Sequence, residues 1–346
     1  MSACRGSVPG AILGKLAGSA RHRWPLGEIP FSTSIDSPAI PAEVRTPSFA
    51  GVALVDPTTG AIRKEVDRFQ DPVDDQTGGA YDGRYAVWKV YLTPDDLAQF
   101  VVRLWTRATG RVTTVGVSRP GTASPWQDPV LAGRFAAWVE GRDNRGAGVI
   151  VLLDLATGHR RIVHRGHVGW ILLARDQLLW AESAKPGALT EPHALDLHSF
   201  HEVALPPALR GVRGAWGFAE SGGGLAWFGG EPNALYVARS LREPAIRVFR
   251  PRMGGFSPPI AAAPGLVAAP ISSGGVVLAR TSDLRYTIFW GGSFGTALGR
   301  SLLLHRELRN RAVKSIGGPL RINATDLSGL RCGSRPASPT PTAGAG

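Results

Sequence analysis

The sequence predicts an all-β protein, a β-propeller with six four-stranded blades as the expected count. Three observations point there. A short apolar strand, usually ending in Trp, recurs along the chain. A strand–turn–strand unit closed by Thr-Gly recurs with it. Finally, 44 Gly and 27 Pro in 346 residues favour many turns and short strands over long helices.

Residues 1–46 are rich in Gly, Ser, Pro and Ala and lack periodicity, so an irregular leader is expected. Its basic start has only Val8 to Leu13 as an apolar stretch, broken by Pro9 and Gly10. That is a poor signal-peptide core, so a cytoplasmic location is the default. A secreted or periplasmic one follows if translation starts elsewhere. Strand patterning begins at residue 50 with Val52 to Val55, the turn Asp56-Pro57-Thr58-Thr59-Gly60, and Ala61 to Val66. The same unit returns around Thr106–Gly110 and Asp154–Gly158, with weaker copies around Asp196 and Ser240. Asp or Thr accepts hydrogen bonds inside such a turn, and Gly supplies the positive φ.

The recurring apolar strands are Tyr85–Trp88, Phe135–Trp138, Gln177–Trp180, Gly224–Trp227 and Gly275–Leu278, with ends spaced by 50, 42, 47 and 51 residues. That period marks a repeat architecture. Trp88, Trp138, Trp180 and Trp227 then read as one core position repeated around a ring. Five blades are expected at about 79–118, 126–165, 167–205, 211–250 and 257–305. Pairing 50–66 with two strands from 311–332 would close a sixth, giving a propeller over 47–332. Residues 333–346 are a low-complexity tail that cannot build a core.

The best-preserved copy, Gly133-Arg134-Phe135-Ala136-Ala137-Trp138-Val139-Glu140 through Asp154-Leu155-Ala156-Thr157-Gly158, resembles a blade of the TolB-like (WD40-like) β-propeller repeat family. Val149-Ile150 stands where that family often has Asp-Ile. The resemblance implies a binding platform that uses the loops at one end of a central channel.

The formal charge of +12 comes from 34 Arg and only 5 Lys, scattered without a run of five. Specific nucleic-acid recognition is therefore not expected. Cys4 and Cys332 lie one in each tail and form neither a disulfide framework nor a zinc site. No apolar run reaches transmembrane length.

Four groups could carry chemistry. Gly291-Gly292-Ser293-Phe294-Gly295 matches a nucleophile elbow, with Tyr286 to Trp290 as the strand before it and Thr296 to Leu308 as a possible helix after it. The stretch from Phe289 to Gly317 looks like the serine-elbow region of aminopeptidase-like hydrolases. Asp326 and His305 are the only Asp and His downstream, which leaves the triad poorly supplied. His159, His164 and His167, and again His193, His198 and His201, share a spacing that could hold zinc if the imidazoles converge. Asp71, Asp74, Asp75 and Asp82 could bind calcium but match no EF-hand loop. Trp105, Trp126, Trp170, Trp216 and Trp290 fall outside the repeat register, so any at the rim is a better binding candidate. The weighed expectation is a monomeric, non-catalytic scaffold for protein or another macromolecule, without cofactor or metal. A serine hydrolase using Ser293 is the alternative.

Overall fold

The Trp-bearing segments are strands, and each is the second strand of its blade. The computed structural model describes residues 37–69, 78–92, 99–118, 127–141, 147–185, 188–230, 233–251, 255–256, 259–272, 275–290, 292–299, 302–307 and 322–327. The first sheet orders β1 (Ile40–Arg45), β2 (Ala50–Val55) and β3 (Ile62–Arg68). The first blade follows with β4 (Gly79–Tyr81), β5 (Tyr85–Tyr91), β6 (Phe100–Thr106) and β7 (Arg111–Val117). The second is β8 (Val130–Ala132), β9 (Phe135–Gly141), β10 (Gly148–Asp154) and the first half of β11 (Arg160–Ala174). The second half of β11 opens the third blade, pairing with β12 (Gln177–Ser183), which pairs with β13 (Thr190–Asp196). A bridge from Leu195 to Glu202 marks the place of its fourth strand.

The fourth blade is β14 (Trp216–Ser221), β15 (Gly224–Gly229), β16 (Ala234–Ala238) and β17 (Ile246–Phe249). The fifth is β18 (Ala261–Ala263), β19 (Leu266–Ile271), β20 (Gly275–Arg280) and β21 (Tyr286–Trp290). A last sheet orders β22 (Gly292–Leu298), β23 (Leu302–Glu307) and β24 (Ile322–Asp326). Every strand pairing among the described residues is antiparallel.

Second strands are the most deeply buried, on both faces, because sheets stack face to face around the axis. β5, β9 and β15 are buried almost throughout, whereas β3 and β7 are largely exposed. Each apolar core joins one sheet to the next. Trp88 packs with Val52 and Val55 of the sheet before it, and Trp138 with Val87 and Phe100. Trp180 packs with Val139 and Ile150, and Trp227 with Leu172 and Leu179. The repeated Trp therefore always faces the preceding sheet. Phe228 with Val267, and Leu278 with Leu303, continue the series to the last sheet.

The arrangement is a propeller of five blades with a three-stranded sheet at either end, which corrects the six four-stranded blades expected from the sequence. Among the described residues the first and last sheets share no strand pairing, so the expected sixth blade joining the two ends is not formed there. The reason is local supply. Ile40–Arg45 gives the first sheet a third strand from within the stretch read as leader, and 292–307 gives the last sheet its own hairpin.

The fifth copy is also shifted. Gly275–Leu278 lies on the third strand of its blade, where the other copies lie on the second, and Tyr286–Trp290 is the fourth. The second strand is β19, whose fourth residue, Ala269, is fully buried where the other blades carry Trp.

The turns follow the predicted chemistry. Asp56 Oδ1 accepts from the Thr58 and Thr59 amides at 2.9 and 3.0 Å, and Gly60 has φ 72°. Asp154 accepts from the Ala156 amide at 3.0 Å, and Gly158 again has φ 72°. The tails carrying Cys4, Cys332 and 333–346 lie outside the described residues, as does Trp126.

Candidate binding channel

The first strands of the five blades surround a central cavity of about 950 Å³. Its wall is mostly apolar, with Val130, Val168, Leu172, Phe218 and Ile260 contributing. The inner strands enter it at Asp128, Gly169 and Gly217 and leave it at Asp82, Glu220 and Pro264. Such a lining accommodates apolar groups and offers polar contact only at its ends.

Two tryptophans stand where inner strands begin. Trp170 lines the cavity, and its ring centroid lies 6.2 Å from that of Trp216 on the next blade. Both are half-buried. The Trp216 indole N–H donates to Asn233 Oδ1 at 3.2 Å, and the ring packs 4.6 Å from Phe228. These two off-register tryptophans are therefore held in place with part of their surface free. Trp105, by contrast, is core.

A polar strut ties three blades together beside the wall. Lys89 follows Trp88 on β5, so its side chain points to the opposite face, towards the next blade. It is fully buried, with Nζ donating to the Gln127 carbonyl at 2.7 Å and lying 4.4 Å from the Phe100 ring centroid. Burial pushes its ammonium down to about 8, while the carboxylates of Asp128 and Glu140 oppose the shift. The Gln127 side chain exchanges two hydrogen bonds with the Ile171 peptide on β11, donating to the carbonyl and accepting from the amide. On the far side, Ser221 Oγ donates to Ala263 O at 2.5 Å and joins the fourth blade to the fifth. Sequence reasoning missed Lys89 and Gln127, whose partners lie 38 and 44 residues away.

The wall carboxylates are already engaged. Asp82 Oδ1 accepts from the Arg84 and Tyr85 amides, both at 2.8 Å, and Glu220 Oε1 accepts from the Gly223 amide. Asp71, Asp74 and Asp75 lie outside the described residues, so only the turn role of Asp82 can be placed.

Ser293 sits within β22, and Thr296 to Leu308 contributes the end of that strand and the whole of β23 rather than a helix. This corrects the strand–turn–helix context expected of a nucleophile elbow. His305 lies on β23 opposite Thr296.

The histidines regroup across the two expected triads. His164 Nε2 lies 2.7 Å from Glu182 Oε2, and His193 Nδ1 lies 2.8 Å from Glu202 Oε1. The Trp180 ring stacks on His193 at 5.2 Å and lies 4.7 Å from His164. His198 instead faces Asp176 at 3.5 Å on the surface. Among the described residues no three His, Cys, Asp or Glu side chains are grouped to hold a metal ion. His159, His164 and His167 are accordingly not part of any such group.

No protein-family model matches the chain, and no curated protein matches it. Solved structures do. An oligogalacturonate lyase in complex with manganese aligns over 88% of this chain and 90% of its own, at 10% identity and a TM-score of 0.59. The oligogalacturonate lyase of Vibrio parahaemolyticus aligns over the same shares, at 9% identity and a TM-score of 0.57. TolB of Acinetobacter baumannii aligns over 83% of this chain and 68% of its own, at 14% identity and a TM-score of 0.48. Likeness at such identities is a likeness of fold.

Proposed function

We propose that this chain is a non-catalytic propeller scaffold that binds a macromolecular partner, first of all a protein, at the end of its channel where the inner strands begin. The observation that carries this reading is the half-buried Trp170–Trp216 pair, contributed by two blades above an apolar channel. Large aromatics with part of their surface free are the residues that anchor protein interfaces. The carboxylates of the wall support the same reading, since Asp82 and Glu220 serve the backbone of their own turns. The first strands of five blades line the channel, and we take the protein as a monomer. No helix among the described residues is long and apolar enough to cross a membrane.

A photo-crosslinking amino acid in place of Trp170 tests the reading in cells of the source organism. A discrete adduct is expected there and not from the same group at Ile62, an exposed position on β3. Equal labelling from both positions, or none from Trp170, argues against it. Fluorophosphonate labelling that disappears in Ser293→Ala would replace the scaffold with a serine hydrolase.

A further inference from the structure

The fold gathers basic side chains that the sequence leaves scattered. Among the outer strands, neither β7 nor the first half of β11 contains an acidic residue. Lys64, Arg107, Arg111, Arg161 and Arg165 are exposed there or on the adjoining β3 and Thr106–Gly110 turn. The carboxylates nearby have other arginine partners: Asp56 with Arg63 at 2.7 Å, Glu65 with Arg68 at 3.1 Å, Asp67 with Arg103 at 4.0 Å and Glu140 with Arg160 at 2.5 Å. Asp154 is taken by Arg134. The five remaining cations have no ion pair among the described residues.

They form a band because neighbouring outer edges touch. Lys64 Nζ lies 3.5 Å from where a Cβ on Gly110 would stand, bringing β3 to the turn that precedes Arg111. Arg160 Nη1 donates to the Val115 carbonyl at 3.4 Å, joining β11 to β7. The Arg161 guanidinium covers the Phe200 ring at 3.8 Å and so reaches the third blade.

We infer that this band binds the phosphate backbone of duplex nucleic acid without reading its sequence. Guanidinium groups match phosphate oxygens bidentately, and backbone binding needs only cations spaced along a surface. A chain of net charge +12 adds an attractive field to any polyanion. A protein partner of this surface would need a desolvated apolar centre. The three strands of the band expose one large apolar side chain each, Ile62, Val117 and Ile162. The inference is independent of the channel, since none of the five cations lines it.

Fluorescence anisotropy with a short random-sequence DNA duplex, titrated between about 50 and 200 mM salt, tests this. The Arg111→Gln/Arg161→Gln/Arg165→Gln variant is expected to bind at least tenfold more weakly at low salt. Its slope of log affinity against log salt should be shallower by about 2 to 3, since each lost phosphate contact removes about 0.9. Its melting temperature should fall only slightly, because Arg111 and Arg165 are exposed and Arg161 gives up only its contact with the Phe200 ring. The control Arg239→Gln/Arg242→Gln/Arg247→Gln removes the same charge from the fourth blade and should keep the wild-type slope. Equal loss in both variants, or no binding at low salt, overturns the inference. Competition by polyglutamate as strong as by unlabelled duplex would also overturn it, in favour of an acidic protein partner.

Discussion

At the scale of single residues, the blade junctions tolerate little change. A Cβ on Gly116 would stand 2.8 Å from Trp138 Nε1, in a space where that indole donates to Glu140 at 2.9 Å and lies under Arg160. Gly116→Ala should therefore destabilise the protein by about 1–3 kcal/mol, as overpacking of a filled core does, and urea titration measures it. Lys89 makes a second prediction through its protons. Its folded value of about 8 lies below the ordinary lysine value of 10.5, so above pH 8 the unfolded chain binds more protons than the folded one. Stability contributed by this group then rises with pH from about 8 to 10.5. Unfolding free energies measured across that window should rise more steeply in the wild type than in Lys89→Met. Parallel curves would show that the ammonium is not held as the geometry implies. Neither residue was legible in the sequence: Gly116 ends an ordinary strand pattern, and Lys89 reads as an exposed strand position until the next blade covers it.

Among the elements, the hairpins were the most legible, because their chemistry is local. Asp56 shows the logic: its carboxyl is held down at about 2, first by the hydrogen bond from Arg63 and then by the Thr59 and Thr58 amides. Asp154 is lowered in the same way by Arg134, which approaches it with two guanidinium nitrogens. Asp154→Asn keeps an acceptor for the Ala156 amide, whereas Asp154→Ala removes it. The Ala variant should therefore lose more stability, by about 1 kcal/mol for the turn hydrogen bond, and the Asn variant should fall between it and the wild type in thermal unfolding. The fifth blade and the last sheet were misread for an equally physical reason. Ala269 in the Trp slot removes the aromatic marker, so the apolar run from Gly275 looked like the second strand. In the last sheet, Ala297, Leu298 and Leu302 to Leu304 match a helical spacing as well as a hairpin, and only strand pairing decides between them.

At the scale of the molecule, stability is assembled from interfaces between neighbours. Each apolar cluster joins consecutive sheets, from Val52 with Trp88 to Leu278 with Leu303. Such a chain of nearest-neighbour interfaces approaches a one-dimensional array. Ile150 and Trp180 sit in the interface between the second and third blades, both essentially without exposure. Ile150→Ala should cost about 2–5 kcal/mol. Amide hydrogen exchange should show the lost protection concentrated in β9 to β12 rather than in β19 to β23. Uniform loss across all sheets would mean that the molecule unfolds only as a whole. The repeat itself was legible because Trp recurs. The number of sheets and the fate of the chain ends were not, because they depend on which distant strands meet.

β11 crosses this modular arrangement. Its fifteen residues run unbroken from the perimeter, beside Arg161 and Arg165, to the channel wall at Leu172 and Leu173. Between the third and fourth blades, by contrast, a connection with the 3-10 turn Pro207–Leu209 separates β13 from β14. At β11 a single β-strand is a spar set radially through the ring. A load applied at the rim of the second blade is carried to the axis without a compliant loop to absorb it. Pulled mechanically, the second and third blades should give way together in one force peak, and their neighbours should peel away as separate events.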